Sequence, residues 1–205
     1  MTIVMTAVMR SNRTLAQTEL RAIIYEAAIS RFRTNGYART TVDEIVALAG
    51  VAKGTFFNFF PAKLAVLKAY YDTIDAEAAG FRAGMSAAAP LASLRRYASA
   101  VEKIFLREGP LMLELIDAIA REPVISRIDT ESGAADAADF ARFLIEVRRR
   151  GLIAADVDPE EAANAVLDLW SGSVRAWLAR PAKGSLGRLF HQRLKLLFHG
   201  LGYAP

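Results

Sequence analysis

The chain has 205 residues, enough to bury a core in one or two domains, and it carries no cysteine. That excludes a disulfide framework, a thiolate metal site and a cysteine nucleophile; alanine and leucine dominate, which favours an all-α protein. The net charge of +4 is unevenly placed: residues 1–63 hold eight Lys and Arg against four Asp and Glu, and the other 142 hold 18 of each, so the excess sits where a footprint facing phosphates would put it.

Met1–Met9 is apolar but lacks a basic lead and a small-residue cleavage site, and it is too short to span a membrane. Residues 1–13 read as a disordered arm in a cytoplasmic protein, with Arg10 and Arg13 either lying against DNA or solvated. Leu20, Ile23, Ile24, Ala27, Ala28 and Phe32 then fall at helical spacing and predict an amphipathic helix over Thr18–Thr34. Asn35-Gly36 ends it.

Thr40 or Thr41 caps a second helix, and Thr41 with Glu44 has the spacing of a capping box. Ala49-Gly50-Val51 makes a turn, and Lys53–Phe60 is a third helix closed by Pro61. Ala62 and Lys63 open a fourth, with Leu64, Leu67, Tyr71 and Ile74 on its inner face. A short helix, a tight turn and a second short helix over about residues 41–60 form the frame of a helix-turn-helix DNA reader.

The base-reading end of such a motif is the start of the third helix: Ala52, Lys53, Gly54, Thr55, Phe56 and Asn58. Lys53 can donate to guanine O6 and N7 or to phosphate, Thr55 or Phe56 can touch a thymine methyl, and Asn58 can pair with adenine or a phosphate. Gly54 permits close backbone approach. Thr40, Thr41 and Lys63 stand at helix starts that face the phosphate track, and Arg39 is a further donor.

Residues 18–67 resemble the DNA-binding domain of the TetR family of transcriptional repressors. The matching residues are Ala27-Ala28, Phe32, Gly36-Tyr37, Thr40-Thr41, Glu44-Ile45, Ala49-Gly50-Val51, Lys53-Gly54-Thr55, Phe60 and Lys63. The resemblance implies a homodimer in which each subunit reads half of a palindromic double-stranded DNA operator. Departures stand at three positions. The family often has Tyr at Phe57 and His or Tyr at Phe59, side chains that donate to phosphate, and it usually has a capping residue at Ala52. Core packing between the first and fourth helices is the alternative use of the Phe56–Phe60 cluster, and for Phe57 and Phe60 it is the expected one.

Beyond residue 63 the helical period continues, broken at Pro90, Gly109-Pro110, Pro123, Gly133, Gly151, Pro159 and Pro181, which predicts five further helices and about nine in all. Asp158-Pro159-Glu160-Glu161 is a strong helix start. The expected organisation is an arm over 1–13, a three-helix DNA-binding domain over 14–63, and a helical effector-binding and dimerisation domain over 64–205.

The last two helices each carry a wide apolar face. Val166, Trp170, Gly172, Val174 and Trp177 lie on one, and Leu186, Phe190, Leu194, Leu197 and Phe198 on the other. They read as a four-helix dimer seam, with an internal core face as the alternative. The resemblance implies a pocket for a small-molecule effector in this domain, and Phe81, Met85, Tyr97, Phe105, Met112, Leu115, Phe140, Phe143 and Trp170 are candidates to line it for a largely apolar ligand. Glu114, Asp117, Arg121, Asn164 or Asp168 would orient it, and ordinary core is the alternative for each.

Enzymatic readings find no support. His191 and His199 are the only histidines and have no nearby His or Cys, no Glu-x-x-His pair suggests a di-iron site, and no glycine-rich phosphate loop occurs. No catalytic residue, cofactor or metal is implied. A ligand-responsive repressor is the reading that follows, with a ligand-sequestering dimer that has lost operator binding as the alternative.

Overall fold

The computed structural model describes the backbone of residues 2–121, 123–179 and 184–204, and the side chains of 16–112, 114–116, 133–179 and 184–204. Among the described residues there are nine helices and no strand. They are α1 (Thr2–Asn35), α2 (Val42–Ala49), α3 (Lys53–Phe59), α4 (Lys63–Ala83), α5 (Pro90–Glu108), α6 (Pro110–Arg121), α7 (Pro123–Arg149), α8 (Pro159–Leu178) and α9 (Leu186–Gly200). None of the described helices is long and apolar enough to cross a membrane.

The chain divides into two compact units, Met1–Tyr71 and Asp72–Pro205, so the division falls within α4 rather than at residue 63. The helix of the first unit starts at Thr2, well before Thr18. No Gly or Pro precedes Gly36, so nothing in the sequence stops the helix from extending back. The stretch expected as an arm is part of this helix, and the side chains of Arg10 and Arg13 lie outside the described residues.

The core of the first unit is a stripe on α1 closed by α2, α3 and the start of α4. Ile24, Ala28 and Phe32, spaced by four, are buried with Ile45, Phe56, Phe60, Val66 and Leu67. Ile23 is half exposed, and Ile29 takes the buried place instead. Burying a phenylalanine contributes about 1.5–3 kcal/mol, so Phe32, Phe56 and Phe60 dominate this small core. Arg21 covers its edge, 4.8 Å above the Phe60 ring.

In the second unit α5 packs on α9, α9 on α8, and α8 on α7. Leu94, Tyr97, Ala98, Val101 and Ile104 form the buried stripe of α5, and the first four share a core with Phe140, Leu144, Val166, Phe190, Leu194 and Phe198. Asp158 caps α8 by accepting from Glu160 N–H at 2.9 Å, with Pro159 in the first turn, as its sequence predicts. The breaks at Gly109-Pro110 and Pro123 are present, but α7 runs through Gly133, since one internal glycine costs only about 1 kcal/mol. Pro181 lies outside the described residues.

Candidate nucleic-acid interface

The geometry of α2 and α3 follows from local rules. Thr41 Oγ1 accepts from Glu44 N–H at 3.2 Å, and Glu44 Oε2 accepts from Thr41 N–H at 2.7 Å, which completes the predicted capping box. The Thr41 backbone N–H, and next its hydroxyl, hold the Glu44 carboxyl below its ordinary pKa. Gly50 closes α2 at φ 68°, a left-handed conformation that favours glycine, and its N–H donates to Val46 O. Only Val51 and Ala52 then separate Gly50 from α3. Ala52 supplies no side-chain cap.

Two faces of α3 result. Phe56 and Phe60 point into the core, with Thr55 and Phe59 half-buried. Lys53, Gly54, Phe57 and Asn58 form an exposed stripe, and Ala52 is exposed at its start. This is the surface a groove would meet. A side chain built on Gly54 would meet nothing within 4 Å, so the stripe is open at its middle. Lys53 Nζ lies 2.8 Å and 3.1 Å from the two carboxylate oxygens of Asp43, in the first turn of α2. Asp43 is a component of this surface that the sequence reading did not single out.

Several sequence-predicted contacts are placed elsewhere. Phe56 is fully buried and cannot touch a thymine methyl, whereas Phe57, expected in the core, is 46% exposed. The two rings pack edge to face with centroids 5.3 Å apart. Thr40 is buried, and its hydroxyl donates to Gly36 O at 2.8 Å and Arg31 O at 3.2 Å, so it has no phosphate to reach. Thr41 is exposed but its hydroxyl belongs to the capping box.

Lys63 also plays a different part from the one expected. Its ammonium donates to the carbonyls of Tyr37 at 2.6 Å, Thr40 at 2.8 Å and Ala38 at 3.4 Å, and lies 4.3 Å above the Tyr37 ring. It ties the start of α4 to the loop after α1. Arg39 is exposed, with Nε donating to Asn35 O at 2.6 Å.

In the second unit the expected effector residues do not converge on one space. Phe81, Met85 and Tyr97 line a common cavity of about 330 Å³. Phe140 and Phe143 are buried in the main core, and Trp170 packs between Tyr97 at 5.2 Å and Phe190 at 5.3 Å. Phe105 packs against Trp177, with centroids 6.4 Å apart, and Met112 and Leu115 are buried. None of these six lines the cavity. Asn164 and Asp168 are exposed and Glu114 half-buried; the side chains of Asp117 and Arg121 lie outside the described residues.

The predicted seam is corrected more fully. Val166, Leu186, Phe190, Leu194 and Phe198 are fully buried within the single chain, and Val174 and Trp177 nearly so. They are the core between α5, α7, α8 and α9 rather than a face awaiting a partner. Trp170 and Leu197 are half-buried against the same core. Gly172 is faced by Arg193 of α9, whose Nη1 would lie 3.5 Å from an added Cβ and donates to Ser173 Oγ at 3.0 Å. The apolar residue that α9 does present to solvent is Leu196, 78% exposed.

Comparison with known proteins agrees with this geometry. Residues 24–70 match the family model described as bacterial regulatory proteins, tetR family. Over 170 residues, 74% of this chain and 73% of the relative, the sequence is 29% identical to transcriptional regulator AcuR of Cereibacter sphaeroides. Over 167 residues, 78% of this chain and 83% of the relative, it is 25% identical to the HTH-type transcriptional repressor DhaR of Mycobacterium sp. strain GP1. The crystal structure of Thermus thermophilus FadR, a TetR-family repressor in complex with lauroyl-CoA, superposes with a TM-score of 0.66 at 28% identity, over 88% of this chain and 94% of that one.

Proposed function

We propose that the chain is a transcriptional regulator of the TetR family, and that it acts as a ligand-responsive repressor; the match of residues 24–70 to the family model, and the similarity to AcuR and to the FadR structure, support this reading. It binds a palindromic operator as a homodimer in the cytoplasm and is released by a small-molecule effector taken up by the second unit. The observation that carries the DNA-binding part is the stripe of Lys53, Gly54, Phe57 and Asn58 on α3. A cation, an amide and an apolar ring on one short exposed face match the donor, acceptor and methyl pattern of a major groove.

The dimer is proposed through the outward faces of α8 and α9, where Leu196 is exposed, since the inward faces are occupied. The effector is assigned to the second unit because it holds the cavity lined by Phe81, Met85 and Tyr97. That the FadR relative is described with lauroyl-CoA supports a ligand with an apolar part.

The test is fluorescence anisotropy with DNA from upstream of the protein's own coding region, against a scrambled duplex of equal length. Specific affinities commonly exceed non-specific ones by about 10³ or more at physiological salt. Equal affinity for the two duplexes would reject operator binding and leave a ligand-sequestering dimer as the function.

A further inference from the structure

We propose that the cavity between α4 and the first half of α5 takes a small monocarboxylate, its carboxylate held by Arg96 and its short apolar tail by Phe81 and Met85. This deepens the effector reading above by naming the chemical class of ligand, and it rests on that reading only for the consequence that DNA is released.

The cavity belongs entirely to the second unit, and at about 330 Å³ it is at the small end of ligand sites. Its wall is apolar at Phe81, Met85 and Ala100. Two of its three polar groups are already spent. Ser93 Oγ donates to Ser86 O and accepts from Ser86 N–H, each at 3.0 Å. The Tyr97 hydroxyl accepts from Arg82 Nη1 at 3.4 Å, and burial pushes its pKa up, which keeps it neutral.

Arg96 is the exception. It is exposed at the cavity, and its Nη2 donates to Ser93 Oγ at 3.0 Å. Among the described residues that is its one hydrogen bond, and it has no carboxylate partner. The carboxylates nearby serve a different arginine. Arg82, 2% exposed, lies 2.5 Å from Asp136, 3.2 Å from Asp139 and 3.7 Å from Asp75. Arg96 thus leaves most of a planar five-donor fork available beside an apolar cavity, the arrangement that receives a carboxylate on two parallel N–H bonds.

Gly80 supplies an independent observation. It sits in the interior of α4, where glycine is unfavourable relative to alanine. Packing does not require it: a Cβ there would meet nothing within 4 Å. Gly80 and Gly84, one turn apart, both line the cavity. Gly80 is exposed and lines the cavity, so a bulky side chain there would encroach on it, and the glycine leaves the cavity open.

Isothermal titration of the full chain, without DNA, compares hexanoate and benzoate with the neutral isosteres hexanamide and benzamide. At least one acid is expected to bind at least about tenfold more tightly than its amide. Arg96→Gln should remove that preference. Gly80→Leu, which fills the space without changing charge and favours the helix, should abolish acid binding while circular dichroism and melting stay native. Equal binding of acid and amide, acid binding that survives both substitutions, or no binding of either acid would overturn the proposal. Operator affinity is measured separately: an acid that binds as predicted yet leaves DNA affinity unchanged supports the cavity assignment and rejects its effector role.

Discussion

Lys53, at the start of α3, is held by Asp43, at the start of α2, with both carboxylate oxygens within 3.1 Å of its ammonium. Both side chains are more than half exposed, so the pair is worth at most about 1 kcal/mol and yields readily to a stronger anion or to guanine. The carboxylate nonetheless stands on the surface proposed to meet DNA. It directs Lys53 in the free protein and opposes phosphates that come near without a specific contact.

Lys53→Ala is therefore expected to weaken operator binding by about 1–3 kcal/mol without unfolding the chain. Asp43→Asn should do the opposite for DNA in general, raising affinity for scrambled duplex more than for operator and so narrowing the difference. Anisotropy titrations at several salt concentrations measure both, because each added phosphate contact steepens the slope by about 0.9. A weaker-binding Asp43→Asn protein would show that the carboxylate contributes to recognition rather than opposing non-specific contact.

Lys63 is expected to behave as a structural residue. Its ammonium satisfies the carbonyls of Tyr37, Thr40 and Ala38, and a charged hydrogen bond contributes about 1.5–3 kcal/mol. Lys63→Met keeps the stem and removes the donors, so it should lower the denaturation midpoint of the first unit by a corresponding amount. Chemical denaturation monitored by circular dichroism reads this. Native stability with weaker DNA binding would instead return Lys63 to the phosphate track.

Two positions on α9, two residues apart, separate the core from the proposed seam. Leu194 is fully buried and Leu196 is 78% exposed. Leu194→Asp places an unpaired charge in the protomer core, and losses of about 3–5 kcal/mol are usual for such a charge, so unfolding or aggregation is expected. Leu196→Asp should leave the helical signal intact and shift sedimentation from dimer to monomer. A stable dimer carrying Leu196→Asp would mean that the outer face of α9 is not in the seam.

The contrast between those leucines also shows what the sequence could reveal. Features fixed within about one turn were legible: the Thr41–Glu44 box, the Gly50 turn and the Asp158-Pro159 helix start each depend on neighbours four or fewer residues apart. The helical core stripe of α1 was legible too, apart from the exchange of Ile23 for Ile29. Assigning faces on α3 failed because Lys53–Phe59 makes barely two turns, too few for a period to tell Phe56 from Phe57. On α8 and α9 the apolar width was read correctly, but an apolar face has the same appearance whether α5 and α7 or a second subunit covers it. Contacts made across long separations, such as Arg82 with Asp139, left no local signal.

Acid should weaken the second unit through His191. Burial lowers its pKa first, and Arg95 on α5 and Lys195 on α9 lower it further, against a smaller opposing contribution from a backbone hydrogen bond with Leu91. The folded state therefore favours neutral imidazole, while the unfolded chain takes up a proton near the ordinary value of about 6.5. Below that pH the unfolded state binds more protons, so the stability contributed by His191 is complete above about 6.5 and is lost as pH falls toward the lowered folded value. His191→Gln removes this titration and leaves Arg95 and Lys195 in place. Melting temperatures of the two proteins, taken from neutral to mildly acid pH, should diverge below about 6.5, with the parent chain falling faster. Parallel curves would mean that His191 has the same proton affinity folded and unfolded, and that its surroundings on α5 and α9 are more solvated than their packing indicates.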